Sequence, residues 1–256
     1  MPPRSPAHAP CLRRGATSWA ISVSRSDPAL NARNHVPGAT AAQVVATQLM
    51  LGQIHLDRGM MEEAFLMFEA AARSHDPRAL NMLGRAYERG WGTARNAARA
   101  ALYFAEAARQ DYGWAAFNLA DLYLAGRGVA ADPDRAGRLY VRAARGGVAK
   151  ALTMLGLLVE DGVIHTSHAS PAASLFHAAA MGGDCWGALN LGRLHLSRHD
   201  APAARPWLER ALAHGFDDVF RALAQLVAGQ ADPALRRIGH IAASRLQATT
   251  EYETKP

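Results

Sequence analysis

Cysteine is scarce in this chain: Cys11 and Cys185 are the only two among 256 residues. Neither has a neighbour at zinc-site or redox spacing, so the sequence supports no disulfide framework, and a reducing, cytoplasmic setting is expected. No run of 18 apolar residues occurs, which leaves no candidate membrane-spanning helix. Aromatic residues are only 7% of the chain. No Gly-x-Ser-x-Gly nucleophile elbow and no phosphate-cradling glycine loop is present. A basic stripe is also missing, despite a net charge of +6. Residues 1–45 hold five arginines and one acid, and the remaining 23 basic and 21 acidic side chains nearly balance. Nucleic-acid binding needs a clustered basic footprint, so none is expected.

The chain does carry a ladder of small residues. Gly52, Gly84, Ala120, Gly156, Gly192 and Ala224, each preceded by leucine, are 32, 36, 36, 36 and 32 residues apart. A second ladder, Ala64, Ala100, Ala136, Ala172 and Ala204, precedes the next first-ladder residue by 20 residues every time. The return step is 16 in the middle three units and 12 in the outer two. Periods of this length mark stacked supersecondary units. Apolar residues recur at helical spacing around each rung, as in Ala79, Leu83, Gly84 and Tyr87, then Ala100, Tyr103, Phe104, Ala107 and Ala108. Glycine turns such as Gly90-Trp91-Gly92 and Gly126-Arg127-Gly128 close the first helices, and Asp132-Pro133 and Ser170-Pro171 open second helices. The expected class is therefore all-α, an α-solenoid of about five to six antiparallel helix-turn-helix repeats. Residues 1–40 read as a disordered basic tail, 41–246 as the repeat domain, with its last helix ending near Ala243, and 247–256 as a frayed tail. Arg13-Arg14 and the Ser/Arg-rich stretch behind them also suit organelle targeting or export.

The run Ala115-x-x-Asn118-Leu119-Ala120-x-x-Tyr123-x-x-Gly126-x-Gly128-Val129-x-x-Asp132, followed by Ala136-x-x-Leu139-Tyr140-x-x-Ala143-Ala144-x-Gly146, resembles the Sel-1-like repeat. The second and fourth units depart from it with Asn96 and His168 at the aspartate position, and the shorter first and fifth units are more like tetratricopeptide repeats. The resemblance covers roughly residues 44–245. It implies a right-handed superhelix and a scaffold or adaptor that binds a protein or peptide on a concave face lined by the first helices. It implies no enzyme activity, catalytic residue or cofactor. Some secreted relatives are penicillin-binding or β-lactamase-like, so the alternative is an enzyme-like protein acting on a cell-wall or β-lactam-like small molecule. Their paired cysteines are missing here.

On first helices lining a groove, the outward positions fall three before, one after and four after each rung. The partner-binding candidates are Asn81, Arg85, Glu88, Phe117, Asp121, Leu157, Glu160 and Arg193, with Asn118 and Asn190 able to hydrogen-bond either a ligand backbone or nearby turns. Trp114 and Trp186 precede two of these helices and suit either an interaction edge or inter-repeat packing. Metal binding is not expected. His195 and His199 lie four apart without the glutamate of a metalloprotease helix, and His195 and His55 take the slot of Tyr87 and Tyr123 as packing residues. His165 and His168 have no third ligand nearby in sequence.

Overall fold

The computed structural model describes residues 40–164 and 172–253. Residues 1–39, with Cys11, and the stretch containing His165, His168 and Ser170-Pro171 lie outside them. The described residues form helices α1 (Ala41–Asp57), α2 (Met61–Ala72), α3 (Pro77–Arg89), α4 (Ala97–Arg109), α5 (Gly113–Ala125), α6 (Pro133–Arg145), α7 (Ala149–Glu160), α8 (Ala172–Met181), α9 (Cys185–Ser197), α10 (Ala201–His214), α11 (Asp217–Val227) and α12 (Pro233–Glu253), with no strand among them. Each odd helix packs on the even helix after it, and each even helix on the next odd one. The result is an α-solenoid of six helix pairs. The last helix runs to Glu253, ten residues beyond the expected end near Ala243.

Local signals set the helix boundaries. Asp76, Asn96, Asp132, Asp184 and Asp200 each accept a backbone N–H from the first turn of the following helix. Removing such a cap costs about 1 kcal/mol. Asn96 accepts from the Arg99 N–H at 2.9 Å, so asparagine caps α4 as the expected aspartate would. At the other end, Gly90 and Gly126 take left-handed backbone with φ of 76° and 63° and close α3 and α5.

The ladder is a close approach between the two helices of a pair. A Cβ at Gly52, Gly84 or Gly156 would lie 2.4, 2.6 or 2.5 Å from Cε1 of Phe68, Phe104 or Phe176. At Gly192 it would lie 2.4 Å from Cδ2 of Leu208. The fit is tighter than the sequence alone suggests, because even a methyl group overlaps the ring. The second-ladder alanines Ala64, Ala100, Ala136 and Ala204 have no exposed surface.

The four extra residues of the long turns also have a purpose. A Cβ on Gly92 would lie 2.4 Å from the Met61 carbonyl oxygen, and one on Gly128 would lie 2.3 Å from the Ala97 carbonyl carbon. The turns carrying Gly92 and Gly128 therefore fold back against the start of the previous pair's second helix and add a contact between repeats. At the first pair the rung is open: Leu51 is 38% exposed, against 3% and 4% for Leu83 and Leu119. A preceding second helix covers those leucines, and none among the described residues covers Leu51.

Candidate functional site

Three neighbouring pairs of first helices approach one another directly, α3 with α5, α7 with α9 and α9 with α11. On α3 the face is polar because Asn81, Arg85 and Glu88 follow one another at helical spacing, opposite the stripe of Ala79, Leu83 and Tyr87. Arg89, at the last turn, joins them. The Arg85 guanidinium lies over the Trp91 ring, 5.1 Å from its centroid, and donates to the Met82 sulfur at 3.7 Å. Burial and the nearby Arg89 cation pull the Arg85 pKa below its ordinary value. Glu88 accepts an ion pair from Arg127 in the α5–α6 turn at 3.1 Å and lies 4.0 Å from Arg89 Nε. That Nε is sealed from solvent and has no hydrogen-bond acceptor among the described residues.

The next helix places an acid where α3 has a cation. Asp121 on α5 is half-buried and accepts the Tyr140 hydroxyl from α6 at 2.5 Å. Burial pushes its pKa up to about 6, against the opposing pull of the Tyr140 hydrogen bond and of the nearby Lys150 and Arg127 charges. Burial also raises the Tyr140 pKa, so that hydroxyl is the donor. Lys150, at the start of α7, lies over the Phe117 ring, 5.2 Å from its centroid. Further along, Glu160 and Arg193 form an ion pair between α7 and α9.

Several predicted outward positions are covered. Asn81, Phe117 and Asn190 are 5%, 3% and 7% exposed. Asn81, three before its rung, faces the neighbouring first helix rather than open solvent. Asn118 on α5 donates to Asn81 Oδ1 at 2.8 Å, across the α3–α5 seam. Phe117 is enclosed by Trp114, Tyr140 and Lys150. Asn190 donates to the Trp186 carbonyl and accepts from Arg193 Nε, at 2.9 and 3.2 Å. Both asparagines thus bond within the chain. Arg85, Glu88, Asp121, Leu157 and Arg193 are half-buried, and Glu160 is exposed. Of the two tryptophans, Trp114 is 42% exposed, whereas Trp186 is half-buried with its ring 6.5 Å from Phe216.

Sequence reasoning missed Arg89, Arg127 and Lys150 as members of this face, and it read Tyr140 as a core residue without its bond to Asp121. In the sequence Arg127 reads only as a turn residue, and its equivalence with Trp91, 36 positions earlier, is the one available signal. Elsewhere, a shallow open indentation of about 340 Å³ lies against Ser174, His177, His195 and Trp207 of α8–α10. Among the described residues no three His, Cys, Asp or Glu side chains gather as a metal site would require. Among those residues too, no helix is long and apolar enough to cross a membrane.

The Sel1 repeat family model matches residues 77–112 and 115–148, the α3–α4 and α5–α6 pairs with their flanking turns. Among solved structures, a Sel1 repeat protein from Oxalobacter formigenes is 25% identical with a TM-score of 0.66, over 78% of this chain and 87% of that one. A protective antigen of uropathogenic Escherichia coli with an SLR fold is 22% identical with a TM-score of 0.61. That match covers 80% of this chain and 46% of the antigen. An immunity protein from Pseudomonas aeruginosa shares the fold at 16% identity, with a TM-score of 0.53 over 73% of this chain and 74% of that one. No curated protein matches the chain in sequence. Residues 77–148 thus carry two Sel1 repeats, within a longer stack of helix pairs whose fold is similar to that of solved Sel1 repeat structures.

Proposed function

We propose that the chain is a protein-interaction scaffold that takes a protein or peptide segment on the concave face formed by its first helices. The observation that carries this reading is the side-chain order of that face. Links between helices, Asn118 to Asn81, Arg127 to Glu88 and Arg193 to Glu160, hold its polar groups in place before any partner arrives. Preorganised groups lose little freedom on binding, which favours affinity. Half-buried Leu124, Leu157 and Leu196 alternate with these polar groups and provide apolar anchor points.

Affinity purification from the native cell, with Arg85→Ala and Arg193→Ala in parallel, tests the face. The expected result is a co-purifying protein that both variants lose while keeping their melting temperatures. A variant on a second helix, Arg138→Ala on α6, should retain it. A partner kept by both groove variants and lost with Arg138→Ala would place binding on the opposite side.

A further inference from the structure

We propose that the α3–α5 end of this face binds the carboxylates of an acidic peptide segment through Arg85, Arg89 and Arg127. The proposal rests on the scaffold reading above and narrows its partner to a segment rich in Asp and Glu. Charge balance is the first argument. Three guanidiniums converge on one carboxylate, Glu88, whose side chain is only 10% exposed. Arg95 adds a fourth cation beside Arg89. Asp121 is the other acid in reach, and it is already bonded to Tyr140. Partly desolvated cations without matching anions are costly, so the cluster is poised to accept negative charge.

The second argument is the Arg89 Nε. It is buried, finds no acceptor among the described residues, and lies 4.0 Å from the nearest Glu88 oxygen. The negative end of the α3 dipole draws cations to this point but does not satisfy that N–H. The Arg89 carbonyl is taken by Arg95 Nε at 3.0 Å, and the Ala86 and Tyr87 carbonyls by the backbone of Gly90, Trp91 and Asn96. The Arg89 side chain keeps 25% of its surface in solvent, and through that exposed part rather than through the sealed Nε an incoming carboxylate pairs with the under-satisfied guanidinium.

The rest of the face favours a peptide over a nucleic acid. Glu88, Asp121 and Glu160 interrupt any path for a phosphate backbone, and Leu124 and Leu157 lie where apolar side chains of a peptide would rest.

The test selects random phage-displayed dodecapeptides on the immobilised full-length chain. The best binder is then measured as a fluorescein-labelled synthetic peptide. The expected binders are rich in Asp and Glu. Arg89→Gln/Arg127→Gln should weaken them tenfold or more, whereas Glu88→Gln should tighten them several-fold by removing the internal competitor. Arg89→Gln alone should keep or raise the melting temperature, which separates lost binding from lost folding. Selected peptides that lack acids, or that bind wild type and double variant equally, would overturn the acidic site and leave the scaffold reading standing. A single-stranded DNA dodecamer that binds more tightly than every peptide would overturn the site as well. Selection of no peptide at all would overturn both.

Discussion

In the α3–α4 pair the residue after the rung is Arg85, lying over Trp91; 36 positions later, in the α5–α6 pair, it is Asp121, bonded to Tyr140. The same shift turns Phe104 into Tyr140, Glu88 into Leu124 and Trp91 into Arg127. Both pairs match one family model and keep the same buried alanines at Ala79 and Ala115, Ala100 and Ala136, Ala107 and Ala143. Packing is repeated because each pair must dock on an identical neighbour. Polar chemistry is free to vary, and adjacent repeats use that freedom in complementary ways. Arg127 from the second pair reaches Glu88 of the first, so the two differences meet in a single ion pair.

Four experiments probe this contrast. Gly84→Leu should have the largest effect, about 3 kcal/mol, because even its Cβ overlaps Phe104. Chemical denaturation would show it, and an unchanged midpoint would refute the close approach. Next in size is Tyr140→Phe, which leaves a half-buried acid without its donor and should cost about 1–2 kcal/mol. The reciprocal Phe104→Tyr places a hydroxyl beside Arg85 rather than an acid, so it should destabilise rather than stabilise.

The third experiment is a pH profile. Burial raises the Asp121 pKa to about 6, so between its ordinary value and about 6 the folded chain binds more protons than the unfolded one. Stability contributed at this site is therefore present at low pH and lost as pH rises towards 7. Asp121→Asn should flatten that segment of the profile relative to wild type. A carboxyl titration midpoint near 4 by NMR would contradict it. The smallest effect belongs to the outer link. Glu160→Ala should cost under about 1 kcal/mol, since Glu160 and Arg193 are both partly in solvent. A larger loss would mean that the α7–α9 end is as tightly coupled as the α3–α5 end.

Much of the fold could be read directly from spacing. Asp76, Asp132 and Asp200 announce helix starts, Gly90 and Gly126 announce ends, and Gly84 with Phe104 repeats as Gly156 with Phe176. These are local or short-period signals, each contained within one pair. The site was only partly legible. Arg85, Glu88, Asp121, Leu157, Glu160 and Arg193 are open to solvent at least in part, as a helical wheel suggests. The same wheel places Asn81 and Phe117 outside, yet they are covered. A wheel describes one helix, and what covers these positions comes from another helix or from the next turn.

The sequence by itself determined the alternation of helix pairs, most of their caps, and the close approach at Gly52, Gly84, Gly156 and Gly192, because these depend on residues at most one repeat apart. Only the tertiary structure decided which polar positions stay open. It also decided that Arg85, Arg89 and Arg127 share a single carboxylate and that Asp121 lies under Tyr140. The reason is geometric: the angle at which one pair docks on the next sets the distances between side chains of neighbouring repeats. Charge balance at the seam is therefore a property of the stack rather than of any one repeat.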